Sequence, residues 1–293
     1  MRQGDFVTRK SYDDDVIFKI ERIDQLKAVL RGVDYRLLAD APLTDLTAAS
    51  GSDEPLDHSR SGASQFREIL RRLALSQAHM QEKNELSLTH KQKAGPSYFE
   101  VPGKVLHLDG DPAYLRKSMQ LYGELRVPAE GYYILESQMP DALYRLLPQV
   151  KPDIVVITGH DGLLKQRKRG ELHNLNNYKN SQHFVNAVQV VRQYERNRDS
   201  MIIVAGACQS HFEALLRAGA NYASSPGRVL IHALDPLCIA AKMSYTSVKD
   251  TISMLDIVDL TVTGLEGMGG VETRGSYRMG IPGIQSLEGN ASV

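Results

Sequence analysis

Two reactive side chains stand at equivalent places in two separate apolar segments of the chain. Residues 153–158 lead to His160, residues 201–205 lead to Cys208, and a helical pattern over residues 183–196 separates them. Parallel strands joined by a helix bring their carboxyl ends side by side, and ligands bind there. The sequence therefore predicts a histidine and a cysteine that face each other, the arrangement that a thiolate nucleophile and its proton-transfer partner require.

The surroundings of Cys208 favour a reactive thiol. A lone buried cysteine is usually only a small apolar side chain. Cys208, however, follows a strand and precedes Gln209, Ser210 and a helix, and the N-terminus of a helix favours a thiolate. Cys238 lies in the apolar helical stretch 233–241, so we interpret it as a core residue.

The position of His160 favours a role in proton transfer. The turn sequence Gly-His-Asp-Gly over residues 159–162 directly follows a strand and should expose the imidazole at the edge of the sheet. The pKa of histidine lies near neutrality, which suits a general acid–base group. His211 is the main rival because it follows Cys208 by three residues, although that spacing tends to point it away from the thiol.

The composition describes an ordinary globular chain and excludes several classes of function. The 293 residues carry a formal net charge of zero, which points to neither nucleic acid nor membrane partners. No apolar run approaches the ~18 residues of a membrane span, the N-terminus has no apolar signal core, and two cysteines indicate a reducing compartment. No close metal-ligand pair and no glycine-rich phosphate motif is present, so we predict no metal and no cofactor.

An α/β domain, preceded by a smaller domain, is predicted to position His160 and Cys208. Short strands over residues 1–46 predict a small SH3-like β-barrel, and residues 47–98 read as a linker plus a helix. From residue 99 to residue 293, alternating strands and helices predict a doubly wound parallel sheet with a helical C-terminal extension. The tail after Gly264 is rich in glycine and is expected to be irregular.

Four segments resemble the YabG family of sporulation-specific peptidases. They are GDFVTRKSY at residues 4–12, LADAPLTDL at 38–46, TGHDG at 158–162 and AGACQS at 205–210. The resemblance runs nearly end to end. It implies a cysteine endopeptidase that cuts after arginine and trims coat and cortex-associated proteins, in the mother-cell cytoplasm and the developing spore coat.

The core also resembles the caspase, gingipain and clostripain clan over about residues 104–225, where apolar strands end in His-Gly and Ala-Cys. In that clan the backbone N–H after the histidine and that of the cysteine form the oxyanion hole. Here Asp161 separates His160 from Gly162. The resemblance therefore implies that Asp161 or Gly162, together with Cys208, supplies the donors.

Cleavage after arginine requires an acid in the primary pocket, because a guanidinium pairs bidentately with a carboxylate. Several arginine-specific members of the clan place this acid two residues before the cysteine, where this chain has Gly206. Asp109 and Asp111 end the first strand of the core and are candidates, although their sequence Asp-Gly-Asp-Pro is also typical of a turn. Asp161 is the other candidate.

Two further expectations follow from these resemblances. An arginine-specific peptidase could cleave itself at Arg9, at Arg60 or in the basic run over residues 165–170. The alternative is a non-enzymatic receiver-like module, because Asp109 and Asp111 are similar to the acidic pair of phospho-receiver domains. The third strand of the core, however, ends in Thr-Gly-His where a receiver needs its acceptor aspartate.

Overall fold

The fold is described by a computed structural model that covers residues 1–49, 57–89, 98–164 and 172–280, with side chains of the long helix described over residues 64–86. An antiparallel sheet forms the N-terminal part, in the order β4-β3-β2-β1-β5. Its strands are β1 Phe6–Arg9, β2 Phe18–Asp24, β3 Lys27–Gly32, β4 Leu38–Pro42 and β5 Leu46–Ala48. Alternate residues such as Phe18, Ile20 and Leu30 bury their side chains on one face, as a half-buried sheet requires.

A second, six-stranded sheet forms the core, in the order β13-β11-β10-β9-β7-β8. All its pairings are parallel except that between β11 and β13. The remaining strands are β6 Phe99–Val101, β7 Val105–Asp109, β8 Ala129–Tyr133, β9 Ile154–Thr158, β10 Ile202–Ala205, β11 Tyr222–Ser224, β12 Thr251–Ile252, β13 Met268–Gly270, β14 Thr273–Arg274 and β15 Arg278–Gly280.

Helices cover both faces of this sheet. They are α1 Asp57–Thr89, α2 Pro112–Glu124, α3 Met139–Val150, α4 Ser181–Tyr194, α5 Phe212–Ala218, α6 Asp235–Tyr245, α7 Met254–Leu260 and α8 Gly264–Gly267. One apolar core includes α2, α6 and α7, and the other includes α3, α4 and α5. Because β9 and β10 are buried on both faces, they read as continuous apolar runs in the sequence. The predicted doubly wound sheet is confirmed; the specific likeness to a caspase core or an SH3 barrel stays a prediction.

The order of the strands locates a crevice. The chain crosses from β7 outward to β8 and then back to β9 on the other side of β7. Helix α2 therefore packs on one face and α4 on the other. At such a switch point the carboxyl ends of the two central strands flank a cleft that typically binds ligands. Here those ends carry Asp109, Asp111 and His160.

Two local expectations differ from the structure. The fourth N-terminal strand begins at Leu38, not near Tyr35, so residues 33–37 form a loop. The tail, expected to be irregular, supplies the edge strand β13. Its glycines carry no strand signal, yet a Cβ at Gly270 would stand 2.2 Å from the carbonyl oxygen of Asn221. Close backbone approach, which propensity does not register, therefore decides this element.

No helix in the described part of the chain is both long enough and apolar enough to cross a bilayer.

Candidate active site

His160 and Cys208 occupy equivalent positions beyond two paired strands. Ile157 of β9 pairs with Ala205 of β10, and each reactive residue follows its paired position by three residues. Gly206 turns the chain out of β10 with a φ of +109°, in the region that glycine adopts without strain. The structure thus places the imidazole and the thiol on neighbouring strand ends at one edge of the sheet.

The His160 imidazole is held at one nitrogen and open at the other. Its Nε2 lies 2.8 Å from Oδ2 of Asp111, so the proton that makes this bond stands on Nε2. Its Nδ1 is buried and has no partner among the described residues. Burial, reinforced by the charge of Arg36, lowers the pKa of His160 to about 4. The imidazole is therefore neutral at pH 7, with a lone pair on Nδ1 that can accept a proton.

The Cys208 thiol is buried in the conformation described. Its Sγ accepts a hydrogen bond from the Ile231 N–H at 3.2 Å, and the residue is 1% exposed. Burial raises the pKa of Cys208 to about 11, although several backbone N–H groups, its own included, oppose that shift. The expected stabilisation of the thiolate by a helix is absent here, because α5 begins four residues later at Phe212.

Asp161 connects the turn that carries His160 to the turn that carries Cys208. Its carboxylate accepts hydrogen bonds from the hydroxyls of Ser181 and Ser210, and from the N–H groups of Gly162 and Asn180. The Ser210 hydroxyl in turn accepts from the N–H of Ala207 at 2.9 Å. Burial raises the pKa of Asp161 despite these donors. All of its partners are neutral, so the network fixes geometry without adding charge.

Asp109 binds a guanidinium. Its two carboxylate oxygens each accept a hydrogen bond of 2.8 Å from Arg36, whose Nη1 and Nη2 form the matching fork. The Arg36 Nε donates to the carbonyl oxygen of Ala233 at 3.0 Å, and the guanidinium carbon lies 5.0 Å from the centre of the Tyr114 ring. Both charged side chains are fully buried. This is a complete arginine site, and its occupant comes from the loop between β3 and β4.

Asp111 has a different set of partners. Its carboxylate caps α2 by accepting from the N–H groups of Ala113 and Tyr114, and it also pairs with His160 and with Arg31 of β3. The sequence Asp-Gly-Asp-Pro therefore does act as a turn and helix cap. The same carboxylate orients the imidazole.

His211 and Cys238 lie outside the reactive pair. His211 caps α5 through Nδ1, which accepts from the Ala214 N–H, while its Nε2 donates to the carbonyl oxygen of His173 at 2.9 Å. Both ring nitrogens are therefore committed. Cys238 is fully buried inside α6, where burial raises its pKa well above the usual range.

A cleft of about 480 Å³ opens beside His160 at the switch point of the sheet. Arg31 and Leu38 of the N-terminal sheet form one wall, and Asp111 and Glu136 form another. The Glu136 carboxylate accepts from the His160 N–H at 2.8 Å. A Cβ at Gly159 would stand 2.4 Å from that carboxylate, so a larger residue before His160 would displace the Glu136 side chain.

Sequence reasoning did not find Arg36 or Glu136. Arg36 reaches the site only through the fold, whereas Glu136 follows the end of β8 by three residues but lies in no motif that marked it. Hindsight offers one weak signal, which is that two acids at a buried strand end need cationic partners. The order of the residues, however, does not say which arginine provides them.

Comparison with known proteins found a family model and a relative that match nearly the whole chain. A family model described as YabG peptidase U57 matches residues 2–282. The chain is 44% identical over 284 residues to the sporulation-specific protease YabG of Bacillus subtilis (strain 168), which covers 95% of this chain and 97% of that protein. No solved structure matches.

Proposed function

The chain belongs to the YabG peptidase family, and from that premise we propose that it is a cysteine endopeptidase with Cys208 as nucleophile and His160 as general base and acid. The alignment of the two residues on paired strands carries the proposal. The unpartnered Nδ1 of His160 supports it, because a base needs a free lone pair toward the nucleophile. Family membership disfavours the alternative of a non-enzymatic receiver-like module.

The proposed reaction proceeds through an acyl-enzyme. Cys208 Sγ gives its proton to Nδ1 of His160 and attacks the scissile carbonyl carbon. The protonated imidazole then donates that proton to the leaving amine as the peptide C–N bond breaks, which leaves a thioester. Water, deprotonated by His160, attacks the thioester and restores the thiol. Asp111 keeps the reactive tautomer by accepting from Nε2 throughout.

Backbone N–H groups are proposed to stabilise the oxyanion. The Gly162 N–H is committed to the carboxylate of Asp161 at 2.9 Å. The Asp161 N–H has no acceptor among the described residues, and the Cys208 N–H lies close to Sγ. Of the two candidates after His160, this favours Asp161, with Cys208 as the second donor.

Specificity for arginine is proposed to come from Asp109. Of the three candidate acids, Asp161 is occupied by neutral donors and Asp111 orients His160, whereas Asp109 already binds a guanidinium in a bidentate manner. Arginine has a planar fork that fits such a site, and lysine does not. A buried carboxylate at this place therefore selects arginine before the scissile bond.

The substrates are proposed to be coat and cortex-associated proteins of the developing spore, because the curated relative is named for sporulation.

Cleavage of the chain by itself is also proposed. Arg9 is paired with Asp45, the backbone of Arg60 lies in α1, and residues 165–170 lie outside the described residues.

The test uses purified wild-type protein and Cys208→Ala, each incubated with a spore coat extract. Mass spectrometry of the fragments should show new N-termini that follow arginine in the wild-type sample only. Equal cleavage by both proteins would overturn the nucleophile assignment. Cleavage by the wild type without arginine before the new termini would overturn the specificity alone.

A further inference from the structure

The loop between β3 and β4 lies across the core beside the thiol. Its residue Asp34 accepts a hydrogen bond from the Ala233 N–H at 2.7 Å through its carbonyl oxygen, and Tyr35 forms an antiparallel bridge with His232. The adjacent Ile231 is the residue whose N–H donates to Cys208 Sγ. The loop therefore lies along the segment that borders Cys208 through one isolated antiparallel bridge, a form of backbone pairing that many proteins use to bind extended peptides.

The loop does not continue as a linear peptide would. The Leu37 N–H donates to the carbonyl oxygen of Tyr35 at 2.8 Å, so the chain turns at Arg36 and enters β4. The Tyr114 hydroxyl fixes this turn by donating to the Tyr35 carbonyl at 2.7 Å. Both ends of the loop are anchored in one sheet, and Arg31 of that sheet binds Asp111 in a second cross-domain contact.

We propose that Arg36 is a built-in occupant of the arginine pocket, so that the structure describes a closed form in which the N-terminal sheet competes with substrate. A substrate arginine would have to displace Arg36 from Asp109 before its carbonyl carbon could reach Cys208. This inference rests on the proposed function, because it names Asp109 as the pocket acid of the same site.

The contacts of Arg36 support a role as occupant of the pocket over that of a merely structural ion pair. Arg36 makes the full set of contacts that an arginine ligand needs, with a carboxylate fork, a carbonyl acceptor and an aromatic face. A buried ion pair by itself is weak evidence of a stabilising role. Tethering also gives the loop a high effective concentration at the pocket. The neutral forms of the thiol and the imidazole fit a resting state.

The test empties the pocket and refills it with a small guanidinium. Arg36→Gly removes the occupant and leaves Asp109 unpaired. Agmatine, which is decarboxylated arginine, should then raise the melting temperature of this variant by about 5 °C at saturating concentration. Butylamine should have little effect because it lacks the fork, and agmatine should not shift the wild type, whose pocket is full. This readout needs no peptidase activity, so it stands apart from a failure of the catalytic proposal.

Arg36→Lys provides the second measurement, because it keeps a positive charge at Asp109 but loses the bidentate bond. Peptide mapping after brief treatment with iodoacetamide should show Cys208 alkylated roughly tenfold faster than in the wild type, with Cys238 unchanged as the internal control. An equal rate of Cys208 alkylation in the two proteins would overturn the proposal. Equal agmatine shifts in wild type and a folded Arg36→Gly would do the same.

Discussion

The two halves of the active edge are held in different ways. At the end of β7, Asp109 pairs with Arg36 of the loop between β3 and β4, and Asp111 pairs with Arg31 of β3. At the ends of β9 and β10, Asp161 is held by hydroxyl and backbone donors of the core itself. The acids of the β7 end therefore depend on charges from another part of the chain, whereas Asp161 depends on neutral donors of the core.

The pKa shifts of the two buried carboxyls follow this difference. Burial raises the pKa of Asp109, but the charge of Arg36 and the hydrogen bonds from His107 and Arg36 together outweigh it, so the pKa is lowered. Burial raises the pKa of Asp161, where the partners are neutral. The difference places the proposed recognition group, Asp109, in an ion pair with another part of the chain, and Asp161 in a neutral network of the core that links the turns of His160 and Cys208.

The largest expected effect is at the thiol of the β9–β10 edge. Cys208→Ala removes the nucleophile and little volume, so peptide cleavage should fall by roughly 10⁴-fold or more while the fold is kept. Cys238→Ala is the matched control and should retain activity, because its thiol lies inside α6. Steady-state cleavage of an arginine peptide measures both. Full turnover by Cys208→Ala would show that Cys208 is not the nucleophile.

The next effect separates the two histidines near Cys208. His160→Ala should lower kcat by about 10²–10⁴-fold, the usual range for a general acid–base group. His211→Ala should lower it far less, because one ring nitrogen caps α5 and the other donates to the carbonyl oxygen of His173. Steady-state kinetics at pH 7 decides between them. If His211→Ala lowered kcat more than His160→Ala, the position at the strand end would not identify the general base.

The third prediction tests the contrast between the two carboxylates. Asp109→Asn should reduce the ratio of kcat/KM for arginine over lysine peptides by about 10²-fold, because the fork loses its charge. Asp161→Asn should lower kcat by about tenfold and leave that ratio unchanged. Since the ratio is measured within one protein, partial loss of folded material does not affect it. If only Asp161→Asn changed this ratio, the acid of the arginine pocket would be Asp161 and not Asp109.

The smallest effect is on stability and sharpens the account of His160. Its folded pKa of about 4 lies below the usual histidine value of 6.5, so between these values the unfolded chain binds the extra proton. The free energy of unfolding should therefore fall as the pH drops through this window, by roughly 2 kcal/mol between pH 7 and pH 5. His160→Asn should lack this component. Urea denaturation at both pH values measures it, and equal pH dependence in the two proteins would contradict the burial of the imidazole.

Periodicity was sufficient to predict the sheet and the strand ends that carry the reactive residues. Residues 154–157 and 202–205 are apolar without interruption, and the parallel pairing that this pattern predicts is observed. The edge strand β13 was not predicted, because Gly270 is favoured there by close contact with Asn221 and Tyr222, which is not a local property.

The charges of the site could not be derived in the same way. Arg36 lies 73 residues before Asp109, in a loop that the sequence suggested would begin a strand. The pKa of Cys208 depends on burial by residues from several elements, so its direction could not be obtained from the nearby helix. Both properties arise from tertiary packing, and only the fold brings the groups together.

The most direct test of the catalytic assignment is covalent trapping. A peptidyl acyloxymethyl ketone ending in arginine reacts with the nucleophile when its own arginine side chain binds in the neighbouring pocket. After long incubation and peptide mapping by mass spectrometry, we predict a single adduct on Cys208, and a much weaker one with the lysine analogue. An adduct on Cys238, or no adduct in protein that is folded and cleaves the parent peptide, would contradict the assignment of Cys208 as the nucleophile.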